Sequence, residues 1–125
     1  MTAIAHDTFA IVSRMKKTDI QLVEAIKYFV DNNLKKPILV KDLCIKFCIN
    51  RNKLQNGFRY LFGQTIHSYI LEQKMFHAAE RLKSTDDAIK AIALEYGYNP
   101  SNFNTKFKRQ FKCSPVQFRN KEKMG

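Results

Sequence analysis

Two groups of polar side chains stand out by type and spacing. Arg51, Asn52, Gln55, Asn56 and Arg59 form one, and Ser101, Asn102, Thr105, Lys106, Lys108 and Arg109 form the other. Wound into a helix, each group falls away from an apolar stripe: Leu54, Phe58, Leu61 and Phe62 in the first case, Phe103, Phe107 and Phe111 in the second. Amide and hydroxyl groups so placed match the donor and acceptor patterns that base pairs display in the major groove, while arginine and lysine also neutralise phosphates. Polar helix faces usually meet only water, so the weight rests on finding the same device twice.

The apolar skeleton around these groups is also duplicated. A shift of 49 residues places Leu43 on Ile92, Ile45 on Leu94, Phe47 on Tyr96 and Ile49 on Tyr98. The register continues with Asn50 on Asn99, Leu54 on Phe103, Phe58 on Phe107 and Phe62 on Phe111. Each copy has the length of a helix-turn-helix unit.

Other chemistries find no support. His6, His67 and His77 have no partnered nucleophile or paired carboxylate in the sequence pattern. Cys44 and Cys48 complete no zinc spacing and read as buried apolar residues. Phosphate-loop and dinucleotide glycine motifs are missing. The chain is therefore expected to be no enzyme, with no cofactor and no metal.

The elements that must position the two polar groups follow from periodicity and caps. Asp19 to Asn33 predicts a first helix through Leu22, Val23, Ile26, Phe29 and Val30, with Asp19 as its N-cap and Lys35, Lys36 and Pro37 ending it. A short helix over 40–47 turns Leu43, Cys44 and Phe47 inward; the turn Cys48-Ile49-Asn50 then leads into a helix over 51–62 capped by Asn50. Gly63 closes that helix and Thr65 caps the next. The helix over 66–83 has two apolar stripes, Ile66, Tyr69, Ile70 and Phe76 against Leu71, Met75, Ala78, Ala79 and Leu82, as a strut clasped by a subdomain at each end requires. At about 1.5 Å per residue it spans roughly 27 Å, which with the width of its flanking turns comes near the roughly 34 Å recurrence of major-groove faces on one side of a duplex. A second short helix over 88–96 leads through Gly97 to Asn99 and Pro100, a cap and first-turn pair opening a helix over 100–111. Ser114 and Pro115 repeat that pair before a last helix holding Phe118. The expected division is a leader or linker remnant over 1–18, a first helix-turn-helix subdomain over 19–64, a linker helix over 65–85 and a second helix-turn-helix subdomain over 86–125.

Composition agrees with this outline. With 125 residues, 45% of them hydrophobic, and only 4 Gly and 3 Pro, the chain suits one folded, mainly helical domain or two small subdomains. Its 22 Lys and Arg outnumber 11 Asp and Glu, a footprint that suits a polyphosphate partner, with an acidic membrane surface as the next reading. The excess is concentrated late: over 98–125, seven basic residues face only Glu122. No apolar run approaches the roughly 20 residues that span a bilayer, and an odd number of cysteines fits a reducing compartment, so a cytoplasmic location is expected.

The run from Ile92 to Arg119, I-A-x-x-x-G-Y-N-x-S-N-F-N-x-x-F-K-R-x-F-x-x-S-P-x-x-F-R, resembles the signature of AraC/XylS-type transcription regulators. Leu54, Phe58, Arg59, Phe62, Gly63 and Thr65, then Tyr69, Ile70, Lys74, Met75, Ala79 and Leu82, are similar to the rest of that domain. The resemblance implies an all-α, seven-helix tandem helix-turn-helix domain that binds promoter DNA sequence-specifically and activates transcription through contact with RNA polymerase. It also implies that Asn52, Gln55 and Asn56 read bases in the first unit, and Ser101, Asn102 and Thr105 in the second. The chain departs from the family pattern at Cys48 and Lys112, where glycine or another small residue is usual, at Asn56, where arginine is common, and in having one residue fewer between Gly97 and Phe103. The expected function is a promoter-DNA-binding domain reading two adjacent major grooves. The chain reads either as a detached part of a larger ligand-sensing regulator, its N-terminal sensing domain missing, or, as the second choice, as a complete small regulator. The alternative is an anti-activator that docks on another protein through the helical face at 19–33.

Overall fold

The computed structural model describes residues 16–124. Among them are seven helices and no strand: α1 Lys17–Asp31, α2 Val40–Phe47, α3 Arg51–Phe62, α4 Ile66–Ser84, α5 Ile89–Glu95, α6 Pro100–Phe111 and α7 Pro115–Met124. The all-α, tandem helix-turn-helix architecture expected from the sequence is the one observed. The chain divides into two compact units, one made of residues up to Asn33 with Ile38–Ile70, the other of Leu34–Pro37 with the residues from Leu71 onward. The division falls inside α4, so one continuous helix belongs to both.

In the first unit Val23, Ile26 and Val30 of α1 are buried, as are Leu43, Leu54, Phe58, Ile66, Tyr69 and Ile70. Phe58 stacks obliquely on Phe62 at 4.7 Å and on Tyr69 at 5.4 Å between ring centroids. In the second unit Met75, Ala78, Ala79 and Leu82 of α4 are buried with Ile92, Ala93, Phe103 and Phe107. Phe107 touches Phe111 at 4.5 Å and Phe118 edge-on at 5.4 Å. Burying one such phenylalanine contributes about 1.5–3 kcal/mol relative to leaving it exposed, so Phe58 and Phe107 hold α3 and α6 against their own units.

The repeat extends to the backbone. The amide of Ile49 closes α2 on the carbonyl of Cys44 and the amide of Tyr98 closes α5 on that of Ala93, both at 3.0 Å. Cys48 and Gly97, at the same shift, both take left-handed backbone, with φ of 51° and 83°. So do Gly63 and Lys112, which end α3 and α6 with φ of 76° and 65°, their amides bonding Arg59 and Lys108. The cap oxygens of Thr65 and Ser114 accept from Ser68 and Gln117, each at 3.1 Å. Every one of these pairs is separated by 49 residues.

Several local expectations change. The N-cap of α1 is Lys16, and Asp19 stands in the third helical position with its carboxylate accepting the Lys16 amide at 3.2 Å. A carboxylate can serve a helix start from either place, because the orphan N–H groups lie on both sides of it. Residues 16–18, read as the end of a leader, therefore hold the cap and first turn; residues 1–15 of that leader lie outside the described residues. The end of α1 comes before Pro37, where Asn32 and Asn33 donate side-chain amides to the carbonyls of Tyr28 and Phe29, each at 2.8 Å. Leu61, expected inside, is exposed. Phe76, grouped by periodicity with Ile66, Tyr69 and Ile70, instead packs edge-on against Phe111 in the second unit at 5.7 Å. The cysteines are free; Cys48 is exposed and Cys44 and Cys113 half-buried rather than fully buried.

Candidate nucleic-acid interface

Local chemistry aims α3. Left-handed Cys48 reverses the chain after α2, and the Asn50 side-chain oxygen then accepts the amides of Asn52 at 2.7 Å and Lys53 at 3.3 Å. Leu54, Gly57 and Phe58 turn inward. Arg51, Asn52, Gln55 and Arg59 are exposed, and Asn56 is half-exposed. Lys53 lies off this face, because its ammonium pairs with Asp19 at 3.2 Å and ties α3 to α1. The Lys16 amide, and then Lys53, hold the Asp19 carboxyl below its ordinary value.

Helix α6 is built the same way. Asn99 accepts the Asn102 amide at 2.8 Å and Pro100 occupies the first turn. Phe103 and Phe107 are buried, leaving Ser101, Asn102, Thr105, Lys106, Lys108 and Arg109 exposed. The turn before it is held by α5, whose Glu95 meets Arg81 of α4 and also pairs with Lys35 at 3.1 Å; Arg81 pairs with Asp87 as well. Arg81, followed by Lys35, holds the Glu95 carboxyl below its ordinary value, and Glu95, followed by Asp87, raises Arg81. Arg119 of α7 donates to the Leu82 carbonyl near the end of α4 at 3.1 Å.

The cations of the two faces are not held by internal partners. The described ion pairs engage Lys27, Lys35, Lys53, Arg81 and Lys83. Arg51, Arg59, Lys106, Lys108 and Arg109 enter none of them, so among the described residues the cations of both polar faces are unpaired. Such charges remain available to an external anion without an internal pair having to break.

The structure also adds residues that periodicity passed over. A groove of about 260 Å³ beside α3 is bordered by Gln55, Asn56 and Arg59 together with Val40, Thr65 and His67. A neighbouring hollow of about 310 Å³ brings Arg51 beside Lys41 and His67. Lys41 and His67 belong to α2 and α4, so no pattern within α3 points to them. Asn104 is exposed on α6, and the 49-residue shift pairs it with Gln55.

Among the described residues no cluster of three or more His, Cys, Asp or Glu could hold a metal ion, and no helix is long and apolar enough to cross a membrane. What the two faces offer is hydrogen-bond donors and acceptors with unpaired positive charge.

Comparison with known proteins gives the same picture. Residues 43–121 match the helix-turn-helix domain family. The chain is similar to the uncharacterized HTH-type transcriptional regulator YfiF of Bacillus subtilis, 31% identical over 102 residues, which cover 82% of this chain and 32% of YfiF. It is similar to the regulatory protein SoxS of Salmonella typhimurium, 26% identical over 102 residues, or 81% of this chain and 95% of SoxS. The chain thus spans about a third of one relative and nearly all of the other. The fold is shared with the DNA-binding domain of the global transcriptional factor AdpA, whose structure is in complex with a target DNA; the TM-score is 0.74 at 21% identity, covering 78% of this chain and 89% of that one.

Proposed function

The chain belongs to the AraC/XylS family of transcription regulators and carries that family's helix-turn-helix DNA-binding domain, and from this premise we propose that it reads one promoter site by placing α3 and α6 in two adjacent major grooves. Asn52, Gln55, Asn56, Ser101, Asn102 and Thr105 are the base readers in this reading, and Arg51, Arg59, Lys106, Lys108 and Arg109 bind phosphates. The observation that carries it is the pair of capped helices whose exposed faces combine amides and hydroxyls with cations that have no ion-pair partner among the described residues. Two copies of one reader, joined through the single helix α4, suit a bipartite site. Activation of transcription with RNA polymerase is part of the proposal.

A second reading, docking on another protein through α1, draws on Tyr28, which is 72% exposed on that helix. Alanine at Gln55, Asn102 and Thr105 separates the two. Loss of promoter binding and of regulation together supports the DNA reading; regulation that survives all three changes overturns it in favour of docking.

A further inference from the structure

The duplication reaches the side chains that would read bases. Asn56 donates its side-chain amide to the Asn52 carbonyl at 2.9 Å, and Thr105, 49 residues on, donates its hydroxyl to the Ser101 carbonyl at 3.1 Å. These two side chains are turned back on their own helices in the same manner. One position earlier stand Gln55 and Asn104, both exposed. Neither side chain has a hydrogen-bond partner among the described residues. Both helices start from an asparagine cap, six positions after the carbonyl, Cys44 or Ala93, that closes the preceding helix. No residue is inserted or lost between the copies.

We infer that Asn104 is a base-reading residue of the second unit, equivalent to Gln55 in the first, and that the two units read their half-sites in one common frame. The inference rests on the DNA-binding reading proposed above. Gln and Asn are the two side chains whose amides pair bidentately with adenine, through its N6 and N7. The expected target therefore contains two half-sites that share an adenine at the same internal position. The frame follows from turn length: Cys48 to Leu54 and Gly97 to Phe103 are equally long, and both begin at a left-handed residue, so the first turn of each reading helix presents the same positions outward.

The test is selection of bound sites from random duplex DNA with the full 125-residue chain and its Gln55→Ala, Asn104→Ala and Asn104→Gln variants. Helical content, followed by circular dichroism, checks that each variant folds. The wild type is expected to select two half-sites with the shared adenine. Gln55→Ala should lose the adenine preference in one half-site and Asn104→Ala in the other, each by about 5- to 150-fold. Asn104→Gln should retain it, since it installs the side chain of the first unit. Specific selection in which Asn104→Ala changes no position overturns the assignment of Asn104 and leaves the DNA-binding reading standing. Two half-sites without a shared adenine overturn the common frame. Failure of the wild type to select any sequence overturns the DNA-binding reading and this inference with it.

Discussion

Lys112 and Gly63 occupy equivalent places at the ends of α6 and α3, with φ of 65° and 76°. An L-residue held in left-handed backbone costs about 1–2 kcal/mol, and glycine escapes that cost while paying about 0.5–1 kcal/mol in extra chain entropy. Lys112→Gly should therefore stabilise the fold by about 0.5–1 kcal/mol, because the exposed Lys112 side chain takes part in none of the described ion pairs that its loss would break. The reciprocal change, Gly63→Lys, should destabilise by a similar amount: an added Cβ at Gly63 meets nothing within 4 Å, so the backbone alone is charged. For a chain of this size the shifts in melting temperature are about 2–6 °C, upward for the first and downward for the second. Urea unfolding is the assay, with the midpoint expected to move and the slope to stay constant. A Lys112→Gly variant no more stable than wild type, or a neutral Gly63→Lys, would refute the claim that these two residues close equivalent helices at equivalent cost. Cys48, with φ of 51°, should behave like Lys112.

Asn99→Ala should cost about 1 kcal/mol through loss of the bond to the Asn102 amide, and should weaken DNA binding further by fraying the start of α6; unfolding curves and fluorescence anisotropy report the two effects separately. Lys108→Ala should weaken binding to all duplexes alike and flatten the slope of log affinity against log salt by about 0.9, one phosphate contact; an unchanged slope places Lys108 off the DNA. Glu95 gives a pH dependence whose sign is set by its lowered carboxyl: its pairing with Arg81 and Lys35 supplies stability above the ordinary value of 4.5, and that stability disappears as pH falls below it. Glu95→Gln should accordingly be less stable at neutral pH and show a shallower acid limb in melting temperature against pH.

Much of the fold was legible because its signals are local. The bounds of α3 and α6 follow from caps and apolar spacing within a dozen residues, and Asn50, Asn99 and Ser114 act where their side chains reach the next turn. The turns at Gly63 and Gly97 were legible from glycine itself, whereas the left-handed backbone of Cys48 and Lys112 at the equivalent positions is a finding of the structure, since neither side chain signals it. The features that escaped depend on distant partners. Lys53 is tied to Asp19 on another helix, a pairing that no pattern within α3 shows. His67 and Lys41 join the α3 face only once α2 and α4 have packed. Phe76 shares a helical stripe with Ile70, yet the boundary between units falls between them, and Phe111 supplies its partner. Asn104 carries its signal in the sequence, as the polar counterpart of Gln55 at the 49-residue shift.

The central claim is that the two polar faces discriminate among DNA sequences and do not merely attract phosphate. The most direct test measures, at one fixed salt concentration, the affinity of the purified chain for its selected duplex and for a shuffled duplex of the same length and composition. Binding at least about 10³-fold tighter to the selected site is the predicted result. Equal affinity for the two duplexes would contradict it.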